Sequence, residues 1–512
     1  MLLSDIVHFA AGRRPGRPAV HFGDRTVTFA ELSARVHQVA NAFGEVAGQG
    51  SREQPRVAIL ADNCPEYLEC LYGLPEAGLA ATLVNQRLTA AEIEGILIDA
   101  EPTILVVGAN HEERVAGLDL PSVRQRLVFG TGGERGSYDD FVARAATAPP
   151  PRPVAADSDV AWLIYTSGTT GRPKGAMLTH RNVMTAIVGT AMEWHPSEAD
   201  VALFVFPLCH VAAFVPLLHH LHGGTVVLGA GFVPAEFLAL IEKHQVTHAG
   251  LAPTMINFLL RDPACEAADT SSLRMLPYGA SPIAPDLLAR AVERFGPLFV
   301  QGYGMTELSG NVLVLGRDEH RRGLEGEPHL LGAAGLPTKL AQTRVVDDEL
   351  FDVPPGQVGE IVVRGDQVTA GYWRNPEASA EAWAGGWFHT GDLATVDEAG
   401  YVSVVDRKKD MVVTGGENVY PREVEDVLSG LPGVVEAAVI GLPDPEWGEA
   451  VTAVLVSDGS LTPDGVRDRC RASLAGFKVP RRVVFLDGLP RNASGKVLKR
   501  ELRARYSANV GQ

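Results

Sequence analysis

The feature that most constrains this chain is an apolar strand that runs straight into a loop of glycines and hydroxyls. The strand is expected over 160–165, and Thr166-Ser167-Gly168-Thr169-Thr170-Gly171-Arg172-Pro173-Lys174-Gly175 follows at once. Glycines let backbone N–H groups approach an anion closely, the hydroxyls donate further hydrogen bonds, and Lys174 adds fixed positive charge. Such a loop reads as a phosphate cradle. It is not a Walker loop, because Pro173 and not glycine precedes Lys174. A flexible linker would have little use for an embedded Pro-Lys-Gly.

Around this loop the pattern is α/β. Gly23-Asp24 separates two short apolar runs and signals a hairpin. Thr28 and Glu31 form a capping box for a helix with Leu32, Val36, Val39, Ala40 and Phe43 on one face. Strands at 56–60 and 103–107 alternate with helical segments, as in parallel βαβ units. Prolines 149, 150, 151 and 153 mark a linker into a second α/β segment, with strands at 160–165, 225–228 and 298–301. From about 332 to 405 the pattern becomes β-rich and hairpin-like, with strands at 360–364 and 401–405. After the charged run Asp406-Arg407-Lys408-Lys409-Asp410, about a hundred residues remain, enough for a small domain. Its pattern is helix 422–428, strands 437–440 and 450–456, helix 463–474 and strand 483–486. A chain of 512 residues is too long for one core, so several subdomains are expected.

The loop YTSGTTGRPKG resembles the phosphate-loop signature of the adenylate-forming superfamily: acyl-CoA synthetases, adenylation domains of peptide synthetases, and luciferases. Further segments fit in the right order: FPLCH at 206–210, QGYGMTE at 301–307, WFHTGD at 387–392, DRKKDMVVTGGENVYPREVE at 406–425 and PRNASGKVLKREL at 490–502. The resemblance spans nearly the whole chain. It implies a large N-terminal domain over 1–408, made of two α/β subdomains and a β-rich distorted barrel. A small mobile C-terminal α/β domain over 409–512 would follow, hinged at Lys409. It also implies ATP, Mg²⁺ and coenzyme A as reactants and cofactor.

The same resemblance assigns roles. Thr166, Ser167, Gly168, Thr169, Thr170 and Lys174 would hold the nucleotide phosphates, while Gly279, Ala280 and Ser281 would line the adenine. In the 302–307 segment, Gly302 and Gly304 flank Tyr303, which would pack on the base. Thr306 would bond the α-phosphate and Glu307 would ligate Mg²⁺. A lone carboxylate suits magnesium, which keeps much of its hydration. Asp392 would accept both ribose hydroxyls, two acceptor oxygens matching a vicinal diol, and Arg407 would contact ribose and phosphate. Lys496 would be the catalytic lysine, lowering the repulsion between a carboxylate and the α-phosphate. No general base is required, since the acid is already ionised near neutral pH.

His210 would sit at the carboxylate and gate a pocket formed by Val211, Ala212, Phe214, Gly304, Gly310 and Val312. Gly415 and Gly416 would line the pantetheine channel. Trp447, Phe477 and Arg481 would hold the CoA nucleotide, although Val479 stands where some relatives carry a base and Trp447 and Phe477 also read as core residues. His219, His220 and His222 do not read as a metal site, because adjacent histidines point different ways on a helix and no carboxylate joins them.

The formal net charge of -17 argues against general nucleic-acid binding. A local basic patch remains compatible with peripheral membrane contact, and a homodimer is compatible with the sequence. Five cysteines without C-x-x-C spacing read as free thiols of a reducing compartment, and no secretory leader or spanning run is seen, so a cytoplasmic location is expected. The sparse polarity of the pocket favours an aliphatic acid of medium or greater length. The alternatives are an aryl-acid–CoA ligase, a ligase that loads an acyl carrier protein, a luciferase-like oxygenase, and an inactive regulator that binds acyl-AMP.

Overall fold

A computed structural model of the chain describes residues 1–47, 53–130, 137–150, 155–166, 173–281, 283–491 and 497–507. The chain divides into two compact units, residues 1–343 with 363–388, and residues 344–362 with 389–512. The expected 408/409 boundary falls within the second unit, between the strands Val402–Arg407 and Val412–Thr414.

The first unit is built on three sheets. In the six-stranded sheet, Gln125–Phe129, Ile104–Gly108, Arg56–Leu60, Ala80–Leu83 and Val160–Thr166 lie side by side and parallel. Lys174–Thr179 closes that sheet antiparallel to Val160–Thr166. The parallel strands are apolar along their length, as strands covered on both faces must be; Arg56–Leu60 and Ile104–Gly108 are buried at every position. A second, five-stranded sheet contains the Pro18–Phe22 and Arg25–Thr28 hairpin. The capping box at its end is present: Glu31 accepts from the Thr28 N–H at 2.8 Å, and the helix Phe29–Ala47 follows. Leu32, Val36, Val39, Ala40 and Phe43 are all buried, as their spacing requires. The third sheet orders Leu276–Gly279, Phe299–Met305, Gly310–Leu315 and Leu336–Pro337.

The second unit carries a four-stranded sheet (Gln342–Val346, Gly359–Arg364, Phe388–Val396, Val402–Arg407) whose first strands straddle the division. Its C-terminal part is a five-stranded sheet centred on the long hairpin Val434–Asp444 and Gly448–Ser457, with Arg482–Phe485 parallel to it. The helices Pro421–Ser429 and Pro463–Arg471 supply buried Val424, Leu428, Val466 and Cys470 to one core. All five cysteines are free thiols. Among the described residues no helix is long and apolar enough to cross a membrane.

Candidate active site

Thr166 and Lys174 face one another as the last cross-strand pair of Val160–Thr166 and Lys174–Thr179. The two strands therefore form the walls of a hairpin. Ser167, Gly168, Thr169 and Thr170 lie outside the described residues, as does Lys496.

A second hairpin meets the first. The sequence expectation ends a strand at 301, but the strand runs Phe299–Met305 and takes in Gly302, Tyr303 and Gly304. Gly304 pairs with Asn311 and Met305 with Gly310 on the returning strand. Glycine is needed at 304, because a Cβ there would overlap the Gly310 carbonyl. The backbone pairing is what extends the strand, and glycine-rich sequence carries no local strand signal. Thr306–Leu308 forms the turn at the tip, with Thr306 half-buried and Glu307 5% exposed. On the other side, Leu276–Gly279 runs parallel, with Gly279 opposite Gly302. Ala280 leaves that strand at φ +67°, a left-handed conformation a side chain adopts at a cost, and Ser281 follows it exposed. Parallel strands ending together is where α/β sheets bind ligands.

Glu307 joins the two hairpins. Its Oε1 accepts from Thr166 Oγ1 at 3.2 Å and from Tyr372 Oη at 3.0 Å. The Glu307 carbonyl also accepts from Thr369 N–H at 2.7 Å. Lys174 Nζ lies 5.2 Å from the Tyr372 ring centroid, within cation–π range. Burial, reinforced by the Glu307 carboxylate, pushes the Tyr372 phenol up, so it stays a proton donor. Tyr372 is held in place by backbone bonds from its own segment to the strand Lys174–Thr179: Met177 N–H to Gly371 O at 2.9 Å and Trp373 N–H to Gly175 O at 2.7 Å. Sequence reasoning passed over Tyr372; Gly-Tyr-Trp at 371–373 has no local pattern that points to residue 307. The single carboxylate with two hydroxyl donors on one oxygen fits a magnesium ion completed by phosphate oxygens and water.

His210 starts the turn Val211–Ala213 that leads into the helix Phe214–Leu221. Burial first, and the Arg87 charge second, lower its pKa to about 4, so the ring is neutral at pH 7. Val211 and Ala212 are half-buried, while Phe214 and Val312 are buried. A Cβ at Gly310 would lie 3.2 Å from Phe214 Cε1 and from Ala186 Cβ, so the Phe214 ring closes off the space beside Gly310. His219, His220 and His222 diverge: His219 stands edge-on to the His248 ring, His220 bonds Tyr72 Oη and Ala19 O, and His222 bonds Leu218 O.

In the second unit, Asp392 and Arg407 are cross-strand partners, with Asp392 Oδ1 3.0 Å from Arg407 Nε. Asp392 is nearly buried, and its N–H donates to Thr390 Oγ1 at 3.1 Å. Lys409 is exposed just beyond that strand. Gly415 and Gly416 form the two-residue turn between Val412–Thr414 and Glu417–Val419, both with positive φ, as tight hairpins require. Trp447 O accepts from Gly415 N–H at 2.8 Å, a Cβ at 415 would lie 2.7 Å from the indole, and the Arg481 guanidinium sits 3.9 Å over the Trp447 ring. These three residues come together. Phe477 instead packs against the C-terminal core, to which Val479 also belongs.

The AMP-binding enzyme family matches residues 7–373, and the AMP-binding enzyme C-terminal domain matches 423–496. A feruloyl-CoA synthase of an Amycolatopsis species is 44% identical over 496 residues, 96% of each chain. A medium/long-chain-fatty-acid–CoA ligase of Mycobacterium tuberculosis is 35% identical over 98% of this chain and 90% of its own. ATP-bound MatB from Rhodopseudomonas palustris superimposes with a TM-score of 0.89 at 32% identity, covering 99% of both chains. With its mixed α/β sheets, its paired hairpins around Glu307 and both family matches in order, the chain belongs to the AMP-binding enzymes and is a ligase of the adenylate-forming superfamily.

Proposed function

We propose that this ligase joins an aryl carboxylic acid to coenzyme A through an acyl-AMP intermediate. The observation that carries the first step is the convergence of Thr166 and Tyr372 on Glu307, with the Lys174 ammonium over the Tyr372 ring. In that step a carboxylate oxygen of the acid attacks the α-phosphorus of ATP, the bond to the β-phosphate oxygen breaks, and pyrophosphate leaves. Two anions must approach, so the work of the protein is charge neutralisation and alignment. Lys174, the loop at 167–172 and Lys496 would supply the positive charge, and Thr306 a hydrogen bond. Glu307 would hold Mg²⁺, which when bound neutralises phosphate charge. Neutral His210 would donate a hydrogen bond near the acid's carboxylate without adding a buried charge.

In the second step the CoA sulfur attacks the acyl carbon, the bond to the AMP oxygen breaks, and the thiol proton passes to solvent. Gly415 and Gly416 would border the thiol arm, and the Trp447–Arg481 stack offers a flat cationic surface for a nucleotide base. Residues 409–512 would present Lys496 in the first step and this face in the second, pivoting at Lys409. Asp392 and Arg407 would receive the ribose.

An aryl acid replaces the aliphatic chain as the favoured substrate. Support comes from the Phe214 ring beside Gly310, which favours a flat, short acyl group over a long chain, and from the higher identity to the feruloyl-CoA synthase. The test is pyrophosphate release with Mg-ATP and CoA across cinnamates, benzoates and C8–C16 fatty acids. Cinnamates or benzoates should lead and yield aryl-CoA; faster turnover of the fatty acids would return the substrate to the aliphatic class. Exchange without any CoA thioester would make a carrier protein the acceptor.

A further inference from the structure

The helix Pro65–Glu76 is buried along its whole length yet carries three glutamates. Two of them meet permanent cations. Glu66 lies 2.7 Å from Arg25 Nη1, and Glu69 2.9 Å from Arg35 Nη2. Glu76 instead meets two histidines from two other helices. His8 of Ser4–Arg13 places Nε2 3.2 Å from Glu76 Oε2, and His37 of Phe29–Ala47 places Nδ1 2.9 Å from Oε1.

We propose that His8, His37 and Glu76 form a binding site for a divalent transition-metal ion of the zinc class, which clasps the three helices together. The donor set, two imidazoles and one carboxylate, is that of open zinc sites with a fourth position for water. One donor atom from each residue can be chosen so that all three lie within 4.8 Å of one another. A tetrahedral zinc with bonds of about 2.0–2.1 Å holds its donors roughly 3.3 Å apart, close to the two separations already present. Those separations go to the two oxygens of Glu76, so the side chains would close from within 4.8 Å onto one centre when an ion binds.

Two further observations fit a bound ion. The His8 and His37 rings are stacked, with centroids 3.9 Å apart and planes inclined by 17°. The stack brings both imidazoles to the one carboxylate. His8 Nδ1 lies 2.8 Å from Ser33 Oγ. With an ion bound, Nδ1–H would donate to Ser33 and Nε2 would present its lone pair to the metal, the outer contact that orients metal-bound histidines. The side chains retain 21%, 12% and 9% exposure for His8, His37 and Glu76, which leaves an entry path.

The test uses the full untagged chain, stripped with chelator, loaded with Zn²⁺ beside millimolar Mg²⁺, and desalted. About one equivalent of zinc should remain and the melting temperature should rise by several degrees. His37→Gln should lose both the retained metal and the shift while keeping pyrophosphate exchange, since His37 lies outside the candidate active site. Should that variant fail to fold, Co²⁺ added to the wild-type chain decides: intense visible bands of a four-coordinate nitrogen–oxygen site support the proposal, and an octahedral aqua-like spectrum overturns it. Absence of retained zinc, or equal retention in His37→Gln, also overturns it.

Discussion

At the scale of single residues, Tyr372 and Thr166 share one oxygen of Glu307, and both are donors. Two donors on Oε1 fix the plane of the carboxylate and so the direction of the remaining lone pairs. A hydrogen bond to a charged group contributes about 1.5–3 kcal/mol, so Tyr372→Phe should lower kcat/KM for Mg-ATP roughly 10- to 100-fold. The variant keeps the ring beside Lys174 and should raise the Mg²⁺ concentration needed for half-maximal rate. A lower melting temperature with unchanged Mg²⁺ dependence would make Tyr372 structural only. Thr166 and Glu307 stand out in sequence, because each lies in a compact run of residue types suited to phosphate chemistry. Tyr372 was not, because its position depends on backbone pairing with Met177 and Gly175, nearly two hundred residues earlier.

At the scale of elements, the helix His180–Trp194 shows how a polar side chain can organise a neighbourhood. Thr179 accepts from the Asn182 N–H, and Asn182 Oδ1 accepts from the Thr179 N–H at 2.8 Å, a reciprocal cap. Asn182 Nδ2 also donates to Asp366 O and Val368 O at 2.7 and 2.8 Å, tying the helix start to the segment that leads to Tyr372. Asn182→Ala would strip the buried Val368 carbonyl, the part-buried Asp366 carbonyl and one N–H of their partners, a cost of about 2–4 kcal/mol. Thr179→Ala removes only a capping hydroxyl, at about 1 kcal/mol. Urea unfolding should rank them in that order, and equal midpoints would show that the Asn182 tie contributes nothing. Elements with strong periodicity were legible: the 29–47 helix begins at its capping box, and the five C-terminal elements expected from the pattern all form, while the short Val412–Thr414 and Glu417–Val419 hairpin and the helix Lys499–Ser507 were not expected. Ends were less so. The helix expected over 463–474 stops at Arg471, because the Ala472 and Ser473 N–H groups tighten onto Arg469 O and Cys470 O three residues back. Long hairpin strands such as Val434–Asp444 also outrun their apolar centres, since the ladder and not the side chains carries them on.

Across the whole molecule, buried neutral histidines couple stability to pH. Burial lowers His180, His210 and His220 from 6.5 to about 4, with the Arg87 charge adding to the effect at His210. The hydrogen bonds agree with the neutral form. The Leu3 N–H donates to His180 Nδ1 at 3.0 Å, which requires a lone pair there. His220 Nε2 lies 3.0 Å from Ala19 O and Nδ1 2.9 Å from Tyr72 Oη. The carbonyl can only accept, so the proton sits on Nε2 and Nδ1 accepts from the phenol. As pH falls through 6.5, the unfolded chain binds protons that these folded rings refuse until about 4. The unfolded state then holds more protons, so stability must fall as pH is lowered across that window, and must stop falling on their account below it. Their stabilisation is intact above pH 6.5, and each ring accounts for a loss of up to about 3 kcal/mol on acidification. The melting temperature should therefore decline steadily from pH 7 to pH 4. His220→Gln should start lower, because its paired nitrogens are disturbed, yet decline less steeply by the contribution of one proton. A flat wild-type profile, or parallel slopes for the two proteins, would mean that these histidines take up their protons without unfolding and that the interior yields locally to admit them.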